Sequence, residues 1–83
     1  LNAAVVDLAR RFSNCWLVDS EADYRQVQRA VAALGAERVC YGSDTPFCEM
    51  RFELGIRRVV YQDLSTADRE LILGGNAARL LGL

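Results

Sequence analysis

Two short apolar runs constrain the fold of this sequence more than any other feature. Residues 15–18 are a continuous run of large or β-branched side chains, and residues 38–41 repeat the pattern after an arginine, as strands covered on both faces do. Between the runs, four residues recur at helical spacing: Tyr24, Val27, Val31 and Leu34. Gly35 follows them and predicts a left-handed stop. A strand, a helix and a second strand in this order form a right-handed βαβ unit, so the sequence predicts α/β architecture with parallel strands.

Helices are also predicted on either side of this unit. One helix face before the first strand is formed by Val5, Leu8, Ala9 and Phe12. Asp19 or Ser20 follows the first strand and is interpreted as the cap of the next helix rather than as part of a site. After the second strand, Thr45 would cap a helix that begins at Pro46. Its apolar face would carry Phe52, Ile56, Val59 and Val60.

The last third of the chain contains two more helix signals. Ser65 and Asp68 are three residues apart and predict a variant of the capping box at the start of a helix. Gly74 and Gly75 would end that helix, and Asn76 would cap a final short one. The basic pairs on the helices are interpreted as solvated faces: Arg10 with Arg11, and Arg57 with Arg58.

Length and composition set the scale of the fold. The chain has 83 residues, of which 52% are hydrophobic and 25% are charged, a balance typical of a packed globular protein. A complete eight-fold barrel needs about 250 residues, so only a piece of one would fit. We interpret residues 1–83 as one unit, and because the chain does not begin with methionine we expect it to be a fragment.

Charge and cysteine content narrow the setting. Ten basic and eleven acidic residues leave a net charge of -1, which provides no positive field for nucleic acid or for an anionic membrane. The three cysteines suit neither a paired disulfide framework nor a Cys-x-x-Cys metal site, and we expect a cytoplasmic protein in which they are small buried hydrophobes. No apolar run approaches the roughly 20 residues of a membrane span.

Residues 41–47 are the most informative candidate for chemistry. They place Asp44 at the carboxyl end of a predicted parallel strand, which is the edge where α/β proteins bind their ligands. Gly42 would let the backbone approach a ligand closely, and an aspartate there would ligate a metal or accept a proton. The alternative is that Asp44 and Thr45 only cap the helix that begins at Pro46, and the spacing fits both interpretations.

Two segments also carry a likeness to a known family. Residues 34–47 read LGAERVCYGSDTPF, and residues 64–83 read LSTADRELILGGNAARLLGL. The first segment resembles a stretch near the end of the amidohydrolase-related family of metal-dependent hydrolases, and the second is similar to the terminal helices of its members. Together the two segments cover a large part of the chain in the expected order.

The resemblance implies a TIM barrel, of which this chain would be the last two β/α units. Residues 15–18 would then be the seventh strand and residues 39–42 the eighth. Asp44 matches the aspartate that follows the eighth strand in the family, where it ligates the metal or takes the proton of the attacking water, with Gly42 and Ser43 shaping its surroundings. Members hydrolyse amide, ester or lactone bonds of small-molecule substrates, and some decarboxylate aromatic acids.

The resemblance further implies a divalent metal such as zinc, but the other ligands are missing. The family's His-x-His on the first strand has no counterpart, since the chain contains no histidine. A catalytic zinc takes about three protein ligands, and Asp44 would be one of them. We therefore expect this chain alone to bind no metal and to be inactive, whereas an intact relative would be a hydrolase.

Two functions of other classes are alternatives to the hydrolase. The first is a non-catalytic interaction module that forms homo-oligomers, because two strands leave open edges and a small α/β piece has little core. The second is DNA binding, since residues 74–82 weakly resemble the end of a helix-turn-helix. The spacing in that segment is wrong for the motif and the net charge opposes it, so we expect no nucleic-acid partner.

Overall fold

A two-stranded parallel sheet lies at the centre of the computed structural model, which describes residues 2–44 and 52–83. Strand β1 spans Leu17–Val18 and strand β2 spans Val39–Cys40, with Leu17 opposite Val39 and Val18 opposite Cys40. Helix α2, Tyr24–Leu34, connects them and is followed by a 3-10 turn at Ala36–Arg38. The predicted α/β unit with parallel strands is therefore confirmed, although each strand is two residues long rather than four.

Helix α1, Ala3–Arg11, precedes the first strand, as predicted. The Asn2 side chain caps it by accepting a hydrogen bond from the Val5 amide at 3.0 Å. The predicted core face is wrong, however, because Val5, Leu8 and Phe12 are 40–53% exposed and only Ala9 of that set is buried. The helix instead turns Ala9 and Val6 toward the core. Its exposed apolar residues form a stripe that we call the α1 stripe: Val5, Leu8 and Phe12.

Helix α2 has a different cap from the one predicted. Asp23 is the N-cap residue, and it forms a capping box with Gln26 in which each side chain accepts the other's backbone amide hydrogen, at 2.8 and 3.0 Å. Capping by Asp19 or Ser20 is therefore wrong, because the helix begins after Asp23. Gly35 ends the helix with a positive φ of 84°, but its ψ of 156° is extended rather than left-handed helical.

The second described range, residues 52–83, is mostly helical. Helix α3 spans Phe52–Val60, helix α4 Thr66–Glu70, and helix α5 Asn76–Leu80. Ser65 caps α4 by accepting the Asp68 amide at 3.1 Å, which confirms one of the two hydrogen bonds of the predicted capping box. The predicted stop at Gly74 and Gly75 is wrong: a π-helical turn, Leu71–Gly75, joins α4 directly to α5, with Gly75 itself in helical conformation.

The same turn covers the outer edge of β2. The Tyr41 amide donates to the Ile72 carbonyl at 2.8 Å. Asn76 is fully buried, and its side-chain amide donates to the carbonyls of Ala36 and Val39 at 2.7 and 2.8 Å. Asn76 is therefore a buried link between α5 and the edge of β2 rather than the helix cap that was predicted, because buried backbone groups need hydrogen-bond partners.

A small core lies between the sheet and the helices. Its buried members are Ala9, Leu17, Ala30, Ala36, Val39, Val59 and Ile72. The first strand is not covered on both faces as predicted, since Val18 is 53% exposed. Across the described ranges, the helices are all too short or too polar to cross a membrane.

Candidate functional site

The carboxyl end of the sheet brings the loops after β1 and β2 together. Asp19 follows β1 directly, and its backbone amide donates to the Cys40 carbonyl at 2.9 Å, so the ladder continues one residue beyond the strand. Gly42, Ser43 and Asp44 follow β2. Asp44 is exposed and has a positive φ of 56°. The helix predicted from Thr45 and Pro46 begins outside the described residues.

Asp19 is the most deeply buried charged side chain at this end of the sheet, with no exposed surface. One of its oxygens, Oδ1, accepts the Gly42 amide at 2.9 Å and the Arg58 Nη2 at 3.0 Å. The other oxygen, Oδ2, accepts from the Arg58 Nε at 3.4 Å. A buried carboxylate without such partners would be strongly unfavourable. The Asp19 side chain is therefore held by the ion pair with Arg58, and it does not cap a helix.

Arg58 reaches this carboxylate from α3. The sequence predicted a solvated side chain, but Arg58 is 6% exposed, and that interpretation is wrong because its guanidinium pairs with Asp19 inside the fold. Its Nη2 also donates to the Gly42 carbonyl at 2.9 Å. The guanidinium carbon lies 5.8 Å from the centre of the Tyr41 ring, which is within the range of a cation–π contact.

Gly42 is required by the packing of the two loops. A Cβ at this position would lie 2.5 Å from the Ser20 Oγ and 2.6 Å from a Val18 methyl carbon, distances that real Cβ atoms do not show. Gly42 therefore lies close to the chain's own Val18 and Ser20, while the close approach to a ligand stays a prediction. Both backbone polar groups of Gly42 are used by the Asp19–Arg58 pair.

Comparison with protein families gives a match. The family described as amidohydrolase matches residues 3–83, which is nearly the whole chain. The chain belongs to the amidohydrolase family. This confirms the family that residues 34–47 and 64–83 indicated, and with it the TIM-barrel superfamily. Comparison with curated proteins and with solved structures gives no match.

The family usually binds a divalent metal, and the residues of this amidohydrolase chain do not fit one by themselves. The chain has no histidine. Within residues 2–44 and 52–83, no three His, Cys, Asp or Glu side chains lie close enough together to hold a metal ion. Asp19 is already bound to Arg58, and among residues 41–44, the described part of the loop after β2, Asp44 is the one carboxylate and is exposed.

Cys40 is a poor candidate for a metal ligand in this amidohydrolase segment. Burial raises the pKa of the Cys40 thiol above 9.0, and the negative charge of Asp19 raises it further, while Arg79 opposes both. A thiol must lose its proton to bind a metal, so the Cys40 environment works against that role. Cys15 is half-buried, and Cys48 lies outside the described residues.

Proposed function

We propose that this chain is the C-terminal segment of an amidohydrolase-related, metal-dependent hydrolase and forms the last two β/α units of its TIM barrel. Strand β1 would be the seventh strand and β2 the eighth. The family match over residues 3–83 supports this proposal, as does a parallel pair joined by one helix, which is the repeating unit of such a barrel. A complete barrel has about 250 residues, so the segment would make up roughly a third of one.

Asp44 is the residue that we propose for catalysis. It lies in the loop after β2 at the carboxyl end of the sheet, the face on which TIM barrels hold their active sites. Its exposure leaves the carboxylate accessible to a small-molecule substrate. There it would accept a proton from the water that attacks an amide, ester or lactone bond of the substrate. The position of this carboxylate is the observation on which the proposed role depends.

We propose that the isolated chain neither holds a metal nor hydrolyses these bonds. Its described residues offer no three-ligand cluster, and the full sequence has no histidine, so most ligands would have to come from elsewhere in a barrel. The odd number of cysteines is in keeping with a cytoplasmic protein. Elemental analysis of the purified chain after incubation with zinc or manganese tests this point. We expect no stoichiometric metal, and one bound ion per monomer would contradict the proposal.

The catalytic role is tested on the product of the complete gene. We expect the reading frame to continue upstream of the codon for Leu1 and to encode a His-x-His near its start. In that protein, Asp44→Asn should lower kcat for its hydrolysed substrate by at least about a hundredfold, as the loss of a general base does. Asp63→Asn, at another exposed aspartate, is the matched control and should leave kcat unchanged. Equal activity of the two variants would contradict the role of Asp44.

A second candidate is a non-catalytic module that self-associates through its apolar surface. The observation that favours it is the exposure of large apolar side chains on two elements, the α1 stripe and Val18 on β1. Light scattering after size-exclusion chromatography separates the candidates, because the module predicts a dimer or larger species that Leu8→Arg converts to monomer. A monomer at high concentration would rule the module out.

A further inference from the structure

The Asp19–Arg58 pair binds the loop that contains Asp44, and both of its hydrogen bonds to that loop are made with the backbone of Gly42. The carboxylate accepts the Gly42 amide at 2.9 Å, and the guanidinium donates to the Gly42 carbonyl at 2.9 Å. Both backbone polar groups of one loop residue are thus bound by opposite members of one buried ion pair. One residue, Ser43, then separates this anchor from Asp44, so the Cα atoms of Gly42 and Asp44 are at most about 7.2 Å apart.

The pair also joins three segments of the fold through side chains. Asp19 comes from the loop after β1, Gly42 from the loop after β2, and Arg58 from α3. A planar guanidinium bound by both Nε and Nη2 fixes direction as well as distance, which a single point charge does not. A buried ion pair adds little net stability compared with apolar packing of the same volume. We therefore attribute to this pair the orientation of the groups that it binds.

We propose that Asp19 and Arg58 are positioning residues that set the conformation of the Asp44 loop. This inference rests on the proposed function, in which Asp44 is the catalytic carboxylate. Asp44 has a positive φ of 56°, a conformation that aspartate tolerates better than most residues but that an untethered loop would populate only in part. The pair keeps Gly42 in place and thereby limits the conformations open to the next two residues.

Nuclear magnetic resonance on the labelled 83-residue chain tests the proposal at the loop itself. Hydrogen exchange of the Gly42 amide reports on the anchor, and the intraresidue amide-to-Hα Overhauser effect of Asp44 reports on its positive φ. The test variants are Arg58→Lys, which keeps the charge but loses the planar fork, and Asp19→Asn, which keeps the shape but loses the charge. Arg57→Lys, at the exposed neighbour on the same helix, is the matched control.

We expect Gly42 exchange to become at least about tenfold faster in Arg58→Lys and Asp19→Asn, and the Asp44 signature of positive φ to weaken. Arg57→Lys should match the parent chain. The side-chain amide of Asn76, bound at the other edge of β2, should keep its chemical shift and show that the fold is retained. Gly42 and Asp44 should then change while Asn76 does not.

Two outcomes would overturn the proposal. The first is an unchanged Asp44 signature in both variants, whether or not Gly42 exchanges faster. The second is a loss of the native Asn76 chemical shift in both variants, which would show that without the pair the fold around β2 is not retained. Failure of the proposed function gives a different pattern, because full activity of Asp44→Asn in the complete protein leaves these loop measurements unaffected.

Discussion

Asp19 and Asp44 occupy similar places in the chain but different environments in the fold. Each follows a strand of the parallel pair at the carboxyl end of the sheet. Asp19 has no exposed surface and is bound to Arg58 and to the Gly42 amide, whereas Asp44 is exposed. The Asp19 carboxylate is therefore bound within the fold, whereas the Asp44 carboxylate is accessible to solvent. Position relative to a strand does not distinguish the two aspartates, whereas burial and the ion pair with Arg58 do.

The largest effect is expected from removing the partner of the buried carboxylate. Arg58→Ala leaves Asp19 without its cation in the interior, and breaking a buried ion pair in this way costs about 3–5 kcal/mol of unfolding free energy. Arg57→Ala, on the exposed side of α3, should change it by about 0.5 kcal/mol or less. Urea unfolding followed by circular dichroism measures both, and equal values would remove the distinction between the two arginines.

A smaller effect is expected at the glycine between the two aspartates. Gly42→Ala introduces a Cβ that overlaps Ser20 and Val18, and such overpacking costs about 1–3 kcal/mol. Gly74→Ala is the matched control, because no atom lies within 4 Å of its added Cβ and the residue is helical, so about 0.5–1 kcal/mol of stabilisation is expected. Thermal unfolding of the two variants should therefore shift in opposite directions. A stable Gly42→Ala would contradict the close contact of the loops.

The buried carboxylate should also be detectable through Cys40. Burial and then the Asp19 charge raise the pKa of this thiol above 9.0, its value in the unfolded chain. The thiol's contribution to stability is thus fully present below pH 9.0 and is lost as pH rises through the folded-state pKa. Asp19→Asn should lower that pKa, and Asp44→Asn should not. The pH dependence of Cys40 alkylation, followed by mass spectrometry, measures it, and identical profiles in the two variants would contradict the account.

Much of the fold could be predicted from the sequence because its signals are local. The helix between the strands follows from apolar residues at helical spacing, and the start of α4 follows from the Ser65 hydroxyl. The predicted stop at Gly74 and Gly75 failed because glycine only permits a chain to leave a helix. In this fold the helix continues through a π-helical turn that lets Ile72 bind the Tyr41 amide.

The site was less predictable because its partners are distant in sequence. Asp19 and Arg58 are on different elements, and no local pattern pairs them. The structure shows a stripe that the sequence did not indicate: from residue 55 onward, the buried residues of α3 and of the turn after it fall at i, i+3, i+4 and i+7, namely Gly55, Arg58, Val59 and Gln62. An arginine on a buried helix stripe needs an anion inside the fold, and Asp19 at a strand end was an available one.

The central claim is that Asp19 serves the structure and Asp44 does not. Urea unfolding of Asp19→Asn and Asp44→Asn under identical conditions tests it most directly, since both changes remove one negative charge from the same end of the sheet. We expect a loss of about 3 kcal/mol or more for Asp19→Asn and a change of about 0.5 kcal/mol or less for Asp44→Asn. Equal losses in the two variants, or a larger loss in Asp44→Asn, would contradict it.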